Sequence, residues 1–364
     1  MRRIASLFAG LVMVVGLAAP ASADSHEGIE FIGEATFPTG YLFEDVEVGG
    51  LSGIVWEESA GVYHTLSDDR SQIAPARFYT ISIDVSDGSL DDGDVVFLSQ
   101  TTLRDASGAP YAPLALDPEG IALSHRGTIF VSSEGDTAAL QSPFVNEYFP
   151  DGHLLDELHV PEWYLPTDDG SAGIRQNAAF ESLTMAPNQV QLTTATEAAL
   201  FQDGPAADLV TGSPSRILVY NARSGRPMAE YVYENEPVTD EPVPPDAFKV
   251  NGLVELLALD NRGSYLALER SFSVGVGNNV RLYHISTRHA DNVKRLFSIE
   301  VLGVMPVSKD LVLDLTELGI TLDNLEGLAF GPELPDGRTP LVIVSDNNFS
   351  PFGFTQFLAF ALDL

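Results

Sequence analysis

The sequence predicts an all-β chain folded as a β-propeller of four-stranded blades, five in number. Three observations lead there. A short motif recurs five times: an inner run typified by Glu119-Gly120-Ile121-Ala122 is followed 14 to 20 residues later by an apolar run that ends in an acid. Counted from Ser52, the motif starts lie 67, 62, 74 and 71 residues apart. A steady period with several strand-length runs per unit is the signature of a propeller. Helical periodicity is weak throughout, with only Leu311–Leu318 suggesting a turn or two.

Each copy resolves into strand-length apolar runs. The first begins at Leu51-Ser52-Gly53-Ile54 and runs to Ser67-Asp68, with Phe78–Ile83 and Val95–Leu98 as its third and fourth strands. The second reads Glu119–Leu123, Thr128–Ser133, Val145–Phe149 and His153–Val160, with Asp151-Gly152 as a tight turn. The third reads Glu181–Met185, Val190–Thr194, Arg216–Tyr220 and Met228–Tyr233. The fourth reads Gly252–Leu259, Ser264–Leu268, Val280–Ile285 and Val293–Ile299. The fifth supplies only Glu326–Phe330, Leu341–Ser345 and Thr355–Leu362 before the chain stops. Its missing strand is available at the other end, in Ile29–Phe37. Pairing the two ends closes the ring and hides two sheet edges. The 39 residues from Glu326 onward and the 28 from Asp24 to Leu51 together match one repeat. A sixth blade hidden in Glu234–Val250 or Leu302–Asp323 is the alternative. Phe349, Phe352, Phe354, Phe357 and Phe360 read as packing within the last blade.

The chemistry should gather at one mouth of the channel. The first two strands of a blade form a hairpin, so the start of one lies beside the end of the other. That pairs Glu119 with Glu134, Glu181 with Glu197, Glu255 with Glu269 and Glu326 with Asp346, while Ser52 stands opposite Asp68 and Asp69. Two carboxylates about 5 Å apart repel by roughly 3 kcal/mol at an effective dielectric near 20. Such a ring needs a bound cation, shared protons or paired bases. Calcium suits it, since it takes six to eight oxygen ligands in flexible geometry. The expected ligands are Asp68, Glu119, Glu134, Glu181, Glu269, Glu326 and Asp346. Arg70 and Arg270, each following an acid, are the candidates for gripping an anion. Acids that merely fasten neighbouring blades through backbone N–H groups are the bland alternative for about half of these positions.

Composition narrows the partners. The first 23 residues read as an export signal: Arg2-Arg3, an apolar core from Ile4 to Leu17, and Ala21-Ser22-Ala23 before Asp24. This predicts a periplasmic or secreted protein with one propeller domain over residues 24–364, and no later run is long and apolar enough to span a membrane. Without cysteine, export brings no disulfides, and the core must hold the fold. Beyond residue 23 the chain carries 17 Lys and Arg against 52 acids. A surface this acidic repels nucleic acid and anionic lipid. There is no Gly-x-Ser-x-Gly elbow, P-loop or dinucleotide fingerprint.

With Gly50-Leu51-Ser52-Gly53, Ser67-Asp68-Asp69-Arg70, Asp117-Pro118-Glu119-Gly120-Ile121, Glu269-Arg270, Asn324-Leu325-Glu326-Gly327-Leu328 and Val344-Ser345-Asp346-Asn347-Asn348-Phe349 in view, the chain resembles the exported proteins grouped as "esterase-like activity of phytase". That resemblance spans nearly all of the chain after the leader and implies a phosphoester-hydrolysing propeller. Calcium dependence is an extension from the acids. The expectation is a monomeric phosphoesterase acting on a small molecule, with Glu119, Glu326, Arg70 and Arg270 at the reacting centre. The alternatives are a lactonase-like or carboxylic-ester hydrolase with one channel calcium, and a non-catalytic binding or scaffold propeller.

Overall fold

The computed structural model describes residues 28–300 and 303–363; the expected leader lies outside them. Five four-stranded antiparallel sheets stand around a central channel. The first comprises Leu51–Glu57, Val62–Ser67, Arg77–Ile83 and Val95–Thr102. The second comprises Pro118–Leu123, Ile129–Ser133, Phe144–Tyr148 and Leu154–Glu157. The third comprises Phe180–Met185, Gln191–Thr196, Pro214–Asn221 and Arg226–Glu234. The fourth comprises Lys249–Ala258, Ser264–Ser273, Gly277–Ser286 and Ser308–Asp314. The fifth comprises Asn324–Phe330, Thr339–Asp346 and Phe354–Leu362, completed by Ile29–Pro38 from the other end of the chain. In that closure Ile29 pairs with Leu362 and Pro38 with Phe354. The blade count is five: among the described residues the sole further sheet is the two-stranded hairpin Leu42–Phe43 with Val46–Glu47, and there is no sixth four-stranded blade.

One element differs from expectation. The outermost strand of blade four is Ser308–Asp314, not Val293–Ile299. Val293 and Ile299 instead pack on Val232 of blade three, and Val293 N–H donates to the Glu230 carbonyl at 2.8 Å. This apolar run has found an inter-blade seat rather than a sheet edge.

The apolar residues form successive layers between neighbouring blades. Leu66, Phe78, Ile121 and Val131 lie between the first two, and Phe130, Val145, Phe180 and Leu192 between the next pair. Ala195, Ile217, Leu253 and Leu256 fill the third gap, Leu266, Leu282, Leu325 and Ile343 the fourth, and Ile54, Tyr63, Val342 and Phe357 the last. Each fully buried side chain of this size contributes about 1.5–3 kcal/mol, which lets a chain without cysteine hold a closed ring.

A bulge recurs at the same place in every innermost strand. The register slips between Leu51 and Gly53, Pro118 and Ile121, Phe180 and Ser182, Leu253 and Glu255, and Leu325 and Gly327. The residue inside the slip is released from the ladder and re-aimed, and at four of the five positions it is Ser52, Glu119, Glu181 or Glu326. The glycine after it has a packing reason. A Cβ on Gly53 would lie 2.8 Å from the Glu119 carbonyl oxygen, and one on Gly120 would lie 2.6 Å from Leu183 Cβ. At these glycines the inner strands of adjacent blades approach too closely to leave room for a side chain.

Candidate functional site: the acidic channel mouth

The bulged acids and the acids ending the second strands converge on one cavity of about 590 Å³. Asp68, Glu119, Glu134, Glu181, Glu197, Asp323, Glu326 and Asp346 line it, with Arg270 as the sole basic lining residue among the described residues. Of these, Glu119, Glu134, Glu197, Glu326 and Asp346 are buried, as is Asp117 just behind. Gly50 makes room for Asp68: its φ is +64°, and a Cβ there would fall 1.8 Å from Asp68 Oδ1.

Blade four breaks the pattern. Leu253 pairs with Glu269, and Glu255 with Leu268, so Val254 occupies the bulge and Arg270 the position where other blades place Asp68, Glu134, Glu197 and Asp346. The expected Glu255–Glu269 pair does not form, because the bulge falls one residue earlier and a one-residue slip sends each side chain to the other face. Glu269 accordingly sits away from the mouth, accepting from Tyr233 Oη at 2.6 Å and Asn251 Nδ2 at 3.0 Å and pairing with Lys309. Glu255 accepts from the Leu183 N–H at 3.1 Å and the Leu256 N–H at 2.8 Å, joining blades three and four.

The two candidate arginines part company. Arg270 Nη2 lies 3.3 Å from Glu326 Oε1 and 3.4 Å from Glu197 Oε1, within the ring. Arg70 is not part of the cavity lining: it holds Asp136 at 2.9 Å and Asp117 at 3.5 Å. Asp69, expected beside Asp68, pairs instead with buried Arg77 at 2.7 Å and accepts the N–H groups of Gln72, Ile73 and Ala74.

The ring's electrostatics follow from burial without enough bases. Burial raises Glu326 to about 8; Arg270 opposes the shift, while Asp346 and Glu197 add to it. Burial takes Asp346 to about 6, partly offset by the Asn348 N–H and the Asn324 side chain. Burial also lifts Asp117 to about 6 against the pull of Arg70. Glu119 is pushed well above the usual range by burial and then by Glu181 and Asp117, and Asp68 by burial and then by Asp346 and Glu326. Glu134 and Glu181 shift the same way, each by burial first and neighbouring carboxylates second.

These residues fit a hard cation. Asp117, Glu119 and Glu134 each offer an oxygen, and the three lie within 4.8 Å of one another. Asp68 Oδ1 is buried with no hydrogen-bond partner, so an oxygen ligand stands idle in the same cavity. Two donors are idle as well. Asn347 is 1% exposed; its Oδ1 accepts from Gly50 and Phe349 N–H groups while its Nδ2 has no acceptor, and neither has Arg270 Nε. Buried donors left without an acceptor call for a partner. Sequence reasoning passed over Asp117 as a site residue, although it stands in the quoted motif Asp117-Pro118-Glu119.

The sequence pattern of the family described as "esterase-like activity of phytase", or phytase-like, matches residues 46–349. The chain belongs to the phytase-like family. No curated protein matches it. Among solved structures, a protein from Lactobacillus plantarum is 12% identical with a TM-score of 0.35, the alignment covering 80% of this chain and 63% of that one. A candidate glycoside hydrolase from Parabacteroides distasonis is 9% identical with a TM-score of 0.44, covering 86% and 87%. A luciferin-regenerating enzyme is 10% identical with a TM-score of 0.37, covering 87% and 93%. The phytase-like chain thus spans less than two thirds of the first of these. No helix among its described residues is long and apolar enough to cross a membrane.

Proposed function

We propose that this phytase-like protein is an exported, monomeric phosphoester hydrolase that works at the acidic mouth with calcium. The observation that carries the reading is the buried group Asp117, Glu119 and Glu134, set in a cavity lined by eight carboxylates and one guanidinium. Asp68, Glu119, Glu134 and Asp117 would hold the cation, with Asp346 and Glu181 close in the same ring. Bound calcium would neutralise the clustered charge and polarise a phosphoryl oxygen.

The chain's own groups supply the rest. Arg270, through Nε, and Asn347, through Nδ2, donate to the oxygens of the ester. Glu326 carries a proton at neutral pH, consistent with its raised value of about 8. Its Oε1 already takes Asn324 Nδ2 at 2.8 Å and faces Arg270, which leaves Oε2 to carry the proton and pass it to the departing alkoxide. The Glu119 carboxylate accepts no hydrogen bond among the described residues; burial and its acidic neighbours favour its protonated form, so it would serve as the base for the attacking water only with a cation beside it to keep it ionised.

Titration calorimetry with calcium, beside Glu119→Gln and Glu326→Gln variants, tests the reading together with phosphate release from an aryl phosphate. Micromolar binding lost in Glu119→Gln, and release abolished by chelation, are expected. Absence of both would leave a binding or scaffold propeller. Hydrolysis of a lactone or carboxylic ester is the second reading, favoured by the single guanidinium in the cavity; turnover of an aryl acetate without turnover of the phosphate would select it.

A further inference from the structure

The walls of the mouth differ in kind from its floor. Above the carboxylates the same cavity is lined by Phe248, Val250, Phe272, Leu322, Phe352 and Phe354. Phe352 is 95% exposed and Phe248 65% exposed. Phe248 and Phe272 form a ring pair with centroids 6.2 Å apart. Phe248 enters with the approach to blade four, and Phe352 with the turn between the second and third strands of blade five, so two separate loops bring phenyl rings to one opening. Each wet phenyl forgoes about 1.5–3 kcal/mol that burial would contribute, and packing within the blades does not account for either.

The charge of the cavity restricts what these rings face. Every phosphate added to a substrate brings further negative charge to the eight lining carboxylates, and the one lining guanidinium is already shared by Glu197 and Glu326. One cation and the two idle donors suffice for one phosphoryl or acyl group. They do not suffice for a ring of phosphates.

We infer that the substrate is an ester of an aromatic or otherwise apolar alcohol, carrying a single anionic or acyl group on the floor and seating its apolar part against Phe248 and Phe352. This rests on the hydrolase reading of the mouth and adds the class of leaving group. With calcium present, kcat/KM for 2-naphthyl phosphate should exceed that for glycerol 2-phosphate at least tenfold, and myo-inositol hexakisphosphate should be the poorest of the three. Phe352→Ala and Phe248→Ala should each lower the naphthyl-to-glycerol ratio about fivefold, through KM, with melting temperature held because both side chains are largely exposed. Equal kcat/KM on all three substrates, or a ratio that neither variant moves, overturns the inference while leaving hydrolysis intact. If no phosphate is released from any of them, hydrolysis fails, and calorimetry with 2-naphthylmethylphosphonate and calcium decides the seat separately. Binding weakened by Phe352→Ala upholds the apolar class; no binding, or binding indifferent to both variants, overturns it.

Discussion

Two populations of buried acid occupy this propeller, and they sit in opposite circumstances. Around the mouth, Glu119, Glu134, Glu197, Glu326 and Asp346 share one guanidinium. Further out, several have a basic partner, while Glu255 is held by two backbone N–H groups. Asp203 and Glu230 clasp Arg216 at 2.6 and 3.0 Å with all three side chains wholly buried, Asp69 clasps Arg77, and Glu269 clasps Lys309. The lesson is that burial does not identify a functional carboxylate. A missing counter-charge narrows the candidates without deciding among them, since Glu255 lacks one too and is held by backbone N–H groups alone.

Breaking the comparison at its strongest point gives the largest effect. Arg216→Met should strip the counter-charge from Asp203 and Glu230 and cost about 3–5 kcal/mol in urea unfolding. Its Nη1 and Nη2 also hold the carbonyls of Leu296 and Phe297, so residues 293–299 should be the first to exchange their amides.

Supplying the missing charge at the mouth comes next. Calcium at one hundred times its Kd should stabilise the protein by about 2.7 kcal/mol, read as a rise in Tm that Glu119→Gln abolishes. A Tm indifferent to calcium would place the mouth acids among the fasteners.

The pH response should then separate the mouth acids from Asp69 by sign. The mouth acids have folded values raised above their ordinary ones, to about 6 for Asp117 and Asp346 and about 8 for Glu326. Their contribution is therefore full below about pH 4 and is lost as pH rises through 6 to 8, each tenfold difference in proton affinity between folded and unfolded chain being worth about 1.4 kcal/mol. Asp69 runs the other way. Burial alone would raise it, but Arg77 and three backbone N–H groups outweigh burial and hold it low, so its contribution is present above about pH 4 and lost on acidification. The calcium-free protein should gain Tm on going from pH 8 to pH 5, and calcium should flatten that slope. A Tm falling over the same interval would contradict the assignment.

The smallest effect should come from Glu255. Glu255→Gln keeps an acceptor for the Leu183 and Leu256 N–H groups, so stability should change by no more than about 1 kcal/mol and calcium affinity should stay within twofold. A loss of affinity comparable with that in Glu119→Gln would return Glu255 to the mouth.

Much of this was legible in the chain, for reasons specific to its residues. The Glu-Gly pairs announced the inner strands because the bulge needs a released residue and the tight approach needs a glycine next to it. The joining of the two ends followed from a fifth copy one strand short. Blade four was misread because Glu255 and Glu269 stand one residue from Val254 and Arg270, and only backbone register decides which residue the bulge releases. Val293–Ile299 has the apolar content of a strand, and only the nearby flank of Val232 shows why it lies across blade three instead. The run Phe349–Phe360 reads in sequence as packing within the last blade; Phe357 and Phe360 do pack there, whereas Phe352 stands at the mouth, where a turn interrupts the alternation.

The strand Ile29–Pro38 has a consequence in time as well as in space. It lies between no two neighbours in sequence; its partner, Phe354–Leu362, is separated from it by almost the whole chain. Contacts of such long range are the slowest to form, since the entropy of closing the loop precedes any reward from pairing. Four blades can assemble from local hairpins, but the circle stays open until the final strand arrives. Glu326 and Asp346 belong to that last sheet and Asn347 follows directly on its second strand, so the mouth is completed only when Ile29–Pro38 meets Phe354–Leu362. A chain shortened before Phe354 should therefore lack the sheet that carries these three residues, and with it the site.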